Sequence, residues 1–288
     1  MIVYLNGSYL PKDEASVSPD DRGFLFADGV YEVLYSYDGM LLREDLHWRR
    51  LKRSLHEIHI KGLGGVDFGE ICRELVDRNN LSDRDAIIYL QITRGAAPRA
   101  HAFPKDAEPT IYGFARPHDP PREQQENGCR TVMVPDERWL RCDIKSVSLL
   151  PNVLAKEKAM DARAFEAVLV RDGNITECSS AAFAAVYNNE FVTAPLSNLI
   201  LPSITRELTL ELCANLDIPV AQHAVPAEIV DGLQEAMLMS TTAEIMPITQ
   251  IDGFIIGDGV PGPVTRKLQK AFRQMVQQDQ AIKSSEVS

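Results

Sequence analysis

An α+β architecture in two domains is what this sequence predicts, and three observations predict it. Short apolar runs are punctuated by tight-turn pairs at Asp38-Gly39, Asp172-Gly173 and Asn188-Asn189, the pattern of hairpin-joined strands. Stripes with helical spacing interrupt these runs in both halves of the chain. Between the halves lies PHDPPREQQENG, residues 117–128, polar and rich in proline, as an interdomain connection would be. Each domain is therefore expected to carry a mixed or antiparallel sheet with added helices, not a doubly wound parallel sheet. The expected division is an N-terminal domain over 1–116, a linker over 117–128 and a C-terminal domain over 129–288, fraying from residue 277.

The elements follow in order. Residues 2–6 read as a strand, with Gly7 as a turn before Tyr9 and Leu10. Residues 29–37 form the next strand, closed by Asp38-Gly39. Trp48, Leu51, Leu55 and Ile58 recur at helical spacing and predict a helix over 44–58. Asp67 followed by Glu70 resembles a capping box, opening a helix that carries Ile71, Cys72, Leu75 and Val76. Strands are expected at 86–94 and 110–115, then at 131–134 beyond the linker. A helix over 151–163 and a strand over 166–170 precede the second hairpin. Ile204, Leu208 and Leu212 mark a helix over 204–216. A strand at 236–240 and a helix at 264–276 complete the pattern.

Composition narrows the functional classes. The 288 residues are 45% hydrophobic and 25% charged, ordinary for a globular protein. A formal charge of −11 gives a surface that repels nucleic acid and anionic membranes. It leaves room for an anionic substrate, since a few local arginines reverse the field inside one cleft. No apolar run of about 18 residues predicts a transmembrane helix, and the start of the chain lacks the pattern of a secretory signal. The five cysteines are scattered without a C-x-x-C pair. That argues against a disulfide framework or zinc ribbon and for reduced thiols in a cytoplasm. Neither G-x-G-x-x-G nor a Walker-type loop occurs.

Four segments hold residues able to carry chemistry. In R-W-L-R-C-D-I-K-S, residues 138–146, Lys145 is either a solvated surface lysine or a Schiff-base lysine. The second role needs a neutral amine, and Arg138 and Arg141 are the cations at hand to favour one. In I-T-E-C-S-S, Glu177 is an exposed strand residue or a buried carboxylate that keeps a cofactor's pyridine nitrogen protonated. In L-I-L-P-S-I-T-R, Ser203 stands at an N-cap position. The Ile204 and Thr205 N–H groups then point outward from a helix start, the geometry that binds phosphate, although an ordinary capped helix fits equally. Ser240 and Thr241 add hydroxyls at a strand end, as phosphate donors or as turn chemistry. Arg50 is the phosphate's charge partner or one cation on a solvated face. In R-G-A-A-P-R-A-H-A-F-P, Arg99 and His101 lie two residues apart. In an extended loop they lean the same way and suit a carboxylate; a flexible basic loop is the plainer reading.

Taken in this order, the pieces resemble the fold-type IV pyridoxal-phosphate (PLP) enzymes. This group holds D-amino-acid aminotransferases, branched-chain aminotransferases and aminodeoxychorismate lyases. The resemblance runs from D-R-G-F-L-F-A-D-G-V-Y-E, residues 21–32, to T-R-K-L-Q-K, residues 265–270. Its most specific parts are P-R-A-H, R-W-L-R-C-D-I-K-S and L-L-P-N-V-L-A-K, and the likeness is to bacterial D-amino-acid aminotransferases. It implies a homodimer with the cofactor at the domain interface. Lys145 would bond to the cofactor and shuttle the Cα proton, and Glu177 would pair with the pyridine nitrogen. Arg50, Ile204, Thr205, Ser240 and Thr241 would hold the phosphate. Tyr31, Arg99 and His101 would take the substrate carboxylate, the last two reaching in from the neighbouring subunit. The implied reaction is ping-pong transamination between D-amino acids and 2-oxo acids. A lyase acting on aminodeoxychorismate, a branched-chain L-aminotransferase and a protein that has lost catalysis are the alternatives. Two departures from the family pattern stand out. Ala181 and Ala182 occupy a run that usually holds asparagine, and Pro202-Ser203 replaces a lysine-glycine pair.

Overall fold

A computed structural model describes residues 1–286 and divides them into two compact units. The first gathers Met1–Asp119, Ile144–Ser148 and the chain from Asp279 onward. Its elements are β1 (Ile2–Leu5), β2 (Ser8–Pro11), α1 (Arg22–Phe26), β3 (Gly29–Tyr37), β4 (Met40–Leu41), α2 (Glu44–Glu57), α3 (Phe68–Arg78), β5 (Ala86–Thr93) and β6 (Thr110–Pro117). The strands form a six-stranded sheet in the order β2-β1-β6-β5-β3-β4, antiparallel at each pairing. The Asp38-Gly39 turn has φ of 46° and 81°, both positive as a two-residue hairpin requires. Helices α2 and α3 bury Leu51, Leu55, Ile71 and Leu75 against Leu34, Ile88 and Leu90 of the sheet. Asp67 caps α3 as expected, accepting from the Glu70 N–H at 2.9 Å.

The second unit, Pro120–Asp143 and Leu149–Gln278, begins with α4 (Arg122–Asn127), β7 (Cys129–Pro135) and α5 (Leu150–Asp161). Then come β8 (Glu166–Arg171), β9 (Asn174–Cys178), β10 (Ala182–Tyr187), β11 (Glu190–Thr193), α6 (Ile204–Asn215), β12 (Val220–Gln222) and β13 (Val225–Pro226). After a 3-10 turn, Ala227–Gly232, follow β14 (Glu235–Ser240), β15 (Glu244–Ile251), β16 (Phe254–Ile255) and α7 (Pro263–Glu286). Its sheet runs β12-β11-β10-β14-β15-β7-β8-β9-β13, with β16 beside β15. The pairs β11/β12, β15/β7 and β7/β8 are parallel and the others antiparallel. The expected mixed sheet is thus present, and the turns at 172–173 and 188–189 join antiparallel strands.

Three expectations are corrected. Residues 117–128 are not a bare linker: α4 forms there and packs into the second unit. The buried Gln125 donates to the Ala243 carbonyl at 3.0 Å, and Gln269 donates to the Gln125 carbonyl at 2.9 Å. Glutamine, glutamate and arginine are good helix formers, so polarity alone misreads the segment. Residues 144–148 leave the C-terminal half of the sequence and group with the first unit. The tail expected to fray from 277 remains helical through Glu286, and its last two positions lie outside the described residues.

Candidate active site

In the first unit, the segment carrying Lys145 is fastened along β3. Tyr31 N–H donates to the Lys145 carbonyl at 3.0 Å and Val147 N–H to the Gly29 carbonyl at 3.1 Å. Val30 and Ser146 form an antiparallel bridge between these bonds. The Lys145 N–H is held by Ser54 Oγ at 3.2 Å. With its backbone fixed, the side chain sets Nζ 4.3 Å from the centroid of the Tyr31 ring. Lys145 and Tyr31 are therefore brought together. The cations expected to assist the lysine are engaged elsewhere. Arg138 is committed to Asp136 and Glu177, and Arg141 pairs with Asp143.

Glu32 follows Tyr31 on β3 and so points to the opposite face, where α2 lies. Arg50 grips it with two bonds of 2.7 Å, and His47 Nδ1 lies 3.0 Å from its Oε2. His47 and Arg50 are three apart and share one helix face. Burial raises the Glu32 pKa, but Arg50 and His47 outweigh it and hold the carboxyl well below its usual range. Burial pushes the His47 pKa down, and nearby Arg50 and Lys145 add to that, against the pull of Glu32. Arg50 is thus a buried cation on an ion pair, not a member of a solvated face. Glu32 and His47 were missed by the sequence reading. Their signal was an acidic residue between Val30 and Leu34 on one strand face, matched by two basic residues on one helix stripe.

Arg99 and His101 sit on the exposed loop after β5. The Arg99 guanidinium lies 5.1 Å from the Phe26 ring centroid and the His101 ring 5.6 Å from it. Both side chains flank the same aromatic ring, as their spacing predicts.

In the second unit, Glu177 of β9 is buried. It takes a short ion pair from Arg138 on Oε1. The Leu201 N–H reaches both its oxygens, at 3.2 and 3.1 Å. Two acceptor oxygens offer about four lone-pair positions, so Oε2 keeps capacity for one further donor. Burial raises the Glu177 pKa, with Arg138 and the Leu201 amide opposing it. Arg138 gives two bonds of 2.8 Å to Asp136 and another of 3.1 Å to the Leu199 carbonyl. Burial works against its charge, but Asp136 and Glu177 more than offset that and raise its pKa.

The segment held by Glu177 leads into α6. Ser203 is the N-cap: its hydroxyl accepts from the Arg206 N–H at 3.2 Å. The Ile204 and Thr205 N–H groups, at the first two helical positions, have no partner within the helix. Helix α6 packs on β14, whose last residue, Ser240, accepts from the Ala243 N–H at 3.1 Å; Thr241 begins the turn that follows. Just before Ala181 and Ala182, Ser179 and Ser180 donate to the buried Glu166, Ser180 at 2.7 Å. The five cysteines are free and buried, and burial pushes the Cys142 thiol up to about 11. Among the described residues, no cluster of His, Cys, Asp and Glu is suited to hold a metal ion, and no helix is long and apolar enough to cross a membrane.

Similarities to known proteins point the same way. The family model for amino-transferase class IV matches residues 29–251. The chain is 41% identical over 277 residues to a D-alanine aminotransferase of Bacillus licheniformis, covering 96% of this chain and 97% of that one. It is 40% identical over 277 residues to a D-alanine aminotransferase of Staphylococcus haemolyticus, covering 96% and 98%. A solved branched-chain amino acid aminotransferase from T.th., with pyridoxamine 5'-phosphate, superimposes with a TM-score of 0.86. It shares 21% identity and covers 95% of this chain and 93% of that one.

Proposed function

This chain belongs to the amino-transferase class IV family, and from that premise we infer that it transfers amino groups between D-amino acids and 2-oxo acids with pyridoxal 5'-phosphate. The observation that carries this reading is Lys145. It is a primary amine on a segment hydrogen-bonded along β3, with Nζ over the Tyr31 ring. Identity of about 40% to D-alanine aminotransferases over nearly the whole chain supports the D hand.

The residues present suit the cofactor. Glu177 is a buried carboxylate with an oxygen able to take one more donor, which suits a bond from a protonated pyridine nitrogen. The unpaired N–H groups at the start of α6 suit a phosphate, and Ser240, Thr241 and Arg50 add hydroxyls and charge. When bound, pyridoxal phosphate supplies an aldehyde that captures amines and a ring that takes up the electrons released at Cα. Lys145 takes the Cα proton as general base and returns it as general acid. Tyr31, Arg99 and His101 hold the substrate carboxylate and so fix which hydrogen faces the lysine. One oxo acid leaves before the next binds, which makes the kinetics ping-pong.

We read the working form as a homodimer in the cytoplasm, with Arg99 and His101 serving the neighbouring copy. Leu150, Val153 and Leu154 form an exposed apolar stripe on α5, which supports a second copy as partner. The decisive assay mixes holoprotein, D-alanine and 2-oxoglutarate. Formation of D-glutamate and pyruvate is expected, with L-alanine turned over far more slowly. Equal turnover of both alanines contradicts the D assignment. Pyruvate release from aminodeoxychorismate without transfer makes the protein a lyase.

A further inference from the structure

The segment D-R-G-F-L-F-A-D, residues 21–28, has no part in the chemistry above, yet it contains two heavily hydrogen-bonded charges, the buried Arg22 and the half-buried Asp28. Arg22 is 3% exposed. Its Nε donates to Asp28 Oδ2 at 2.8 Å. Its remaining nitrogens converge on three successive carbonyls of the neighbouring loop: Ala100 at 2.6 Å, Ala102 at 3.4 Å and His101 at 3.4 Å. Arg94 takes Asp28 from the other side with two bonds of 2.8 Å. It also donates to the Ile58 and His59 carbonyls at 2.6 and 3.2 Å and lies 3.6 Å from the centroid of the Phe103 ring. One carboxylate thus joins two guanidinium groups. One reaches residues 100–102 of the loop and the other stacks on residue 103.

We propose that Arg22, Asp28 and Arg94 are a brace that positions the Arg99–His101 loop for carboxylate capture. The inference rests on the reading of Arg99 and His101 given above. Residues between β5 and β6 have no helix or strand, and such a loop fluctuates unless something ties it down. Its base is closed at Gly95, where φ is +91° and a Cβ would come within 1.8 Å of the Glu108 carbonyl oxygen. Its tip is closed by Arg22. Fixing the carbonyls of residues 100, 101 and 102 fixes the peptide planes on both sides of His101 and the one following Ala102. The direction of the His101 side chain follows directly, and Arg99, two residues earlier, adjoins the fixed stretch with its guanidinium 5.1 Å from the Phe26 centroid. The Phe26 ring completes the support: the Arg22 guanidinium lies 4.8 Å from its centroid, on the ring that Arg99 and His101 flank. A planar fork with five N–H donors can reach a carboxylate and three carbonyls at once; a lysine ammonium cannot. The brace touches no substrate and acts only through the loop.

The test compares holoenzymes carrying Arg22→Met, Arg22→Lys, Arg99→Met and the Arg22→Met/Arg99→Met pair. D-alanine and 2-oxoglutarate are the carboxylate substrates, and D-alaninol is the amine lacking the carboxylate. Arg22→Met should raise KM for both carboxylate substrates about tenfold, the scale of a slight misplacement of binding groups. Arg22→Lys should restore part of that. The saturated rate and the half-reaction with D-alaninol should stay within about twofold, the pattern of lost binding rather than lost chemistry. The double variant should lose less than the product of the two single effects, since with Arg99 gone the brace acts only through His101. Equal losses with D-alaninol, or effects of the two substitutions that multiply, overturn the brace. A raised KM in Arg99→Met beside an unchanged one in Arg22→Met overturns the brace alone. An unchanged KM in Arg99→Met defeats the carboxylate reading and the brace with it. If Arg22→Met does not fold, Arg94→Lys takes its place in the same measurements, and the same results support or overturn the brace.

Discussion

Glu32 and Glu177 are the same residue type, each on a strand and each buried, yet their surroundings drive them in opposite directions. Glu32 receives a bidentate Arg50 and a His47 ring nitrogen, and its pKa falls. Glu177 shares Arg138 with Asp136, which takes the larger part of that cation, and its pKa rises. Burial alone therefore does not say what a carboxylate does; the share of a neighbouring cation it receives decides. A carboxylate fully matched by a cation anchors structure, here fixing Arg50 beneath β3. One that receives only part of a cation stays able to share a proton with a further group.

The largest effect that would sharpen this contrast lies at Glu32. Glu32→Ala strands the buried Arg50 and should cost about 3–5 kcal/mol of stability, the usual scale when one partner of a buried pair is removed. Chemical denaturation of the variant checks it. Glu177→Gln should behave the other way. Arg138 keeps Asp136, so stability should change little, while transamination should drop by about 10²-fold, the scale of losing one preorganised electrostatic partner. If Glu177→Gln unfolds the protein as readily as Glu32→Ala does, the contrast is lost.

Acidity separates the two regions more gently. His47 has a lowered pKa, so as pH falls below its ordinary 6.5 the unfolded chain takes up a proton that the folded one refuses, and stability declines. Glu32, also lowered, adds its own decline as pH falls below its ordinary 4.5 toward the folded value. Glu177 is raised, so its contribution is present at low pH and fades as pH rises through the folded value. His47→Gln should remove only the first of these slopes, read from thermal midpoints across a pH series. The smallest expected effect is at the α6 start. Ser203→Ala removes the cap on Arg206 and should cost about 1 kcal/mol, without altering the Glu177 pair.

Much of this was legible in the sequence because it depends on local rules. The hairpins at 38–39, 172–173 and 188–189 need only turn residues with positive φ, and the caps at Asp67 and Ser203 need only a side-chain oxygen at the right place. The grouping of Arg99 with His101 followed from spacing two apart. What was not legible depends on partners distant in sequence. Glu32 with Arg50 is separated by 18 positions and Glu177 with Arg138 by 39, and no local pattern says which cation a carboxylate will meet. Arg138 was read as a cation for Lys145 because they are close in the chain; Asp136 and Glu177 claim it instead. Helix α4 was hidden by its polarity, since Gln125 is buried for its hydrogen bonds and not for any apolar surface.

The central claim is that the amine at position 145 bonds to the cofactor. Holoprotein treated with borohydride, digested and read by mass spectrometry identifies the lysine that carries the reduced pyridoxyl group. The account predicts that label on Lys145 and on no other residue. A label on a different lysine, or none after saturation with pyridoxal phosphate, would contradict it.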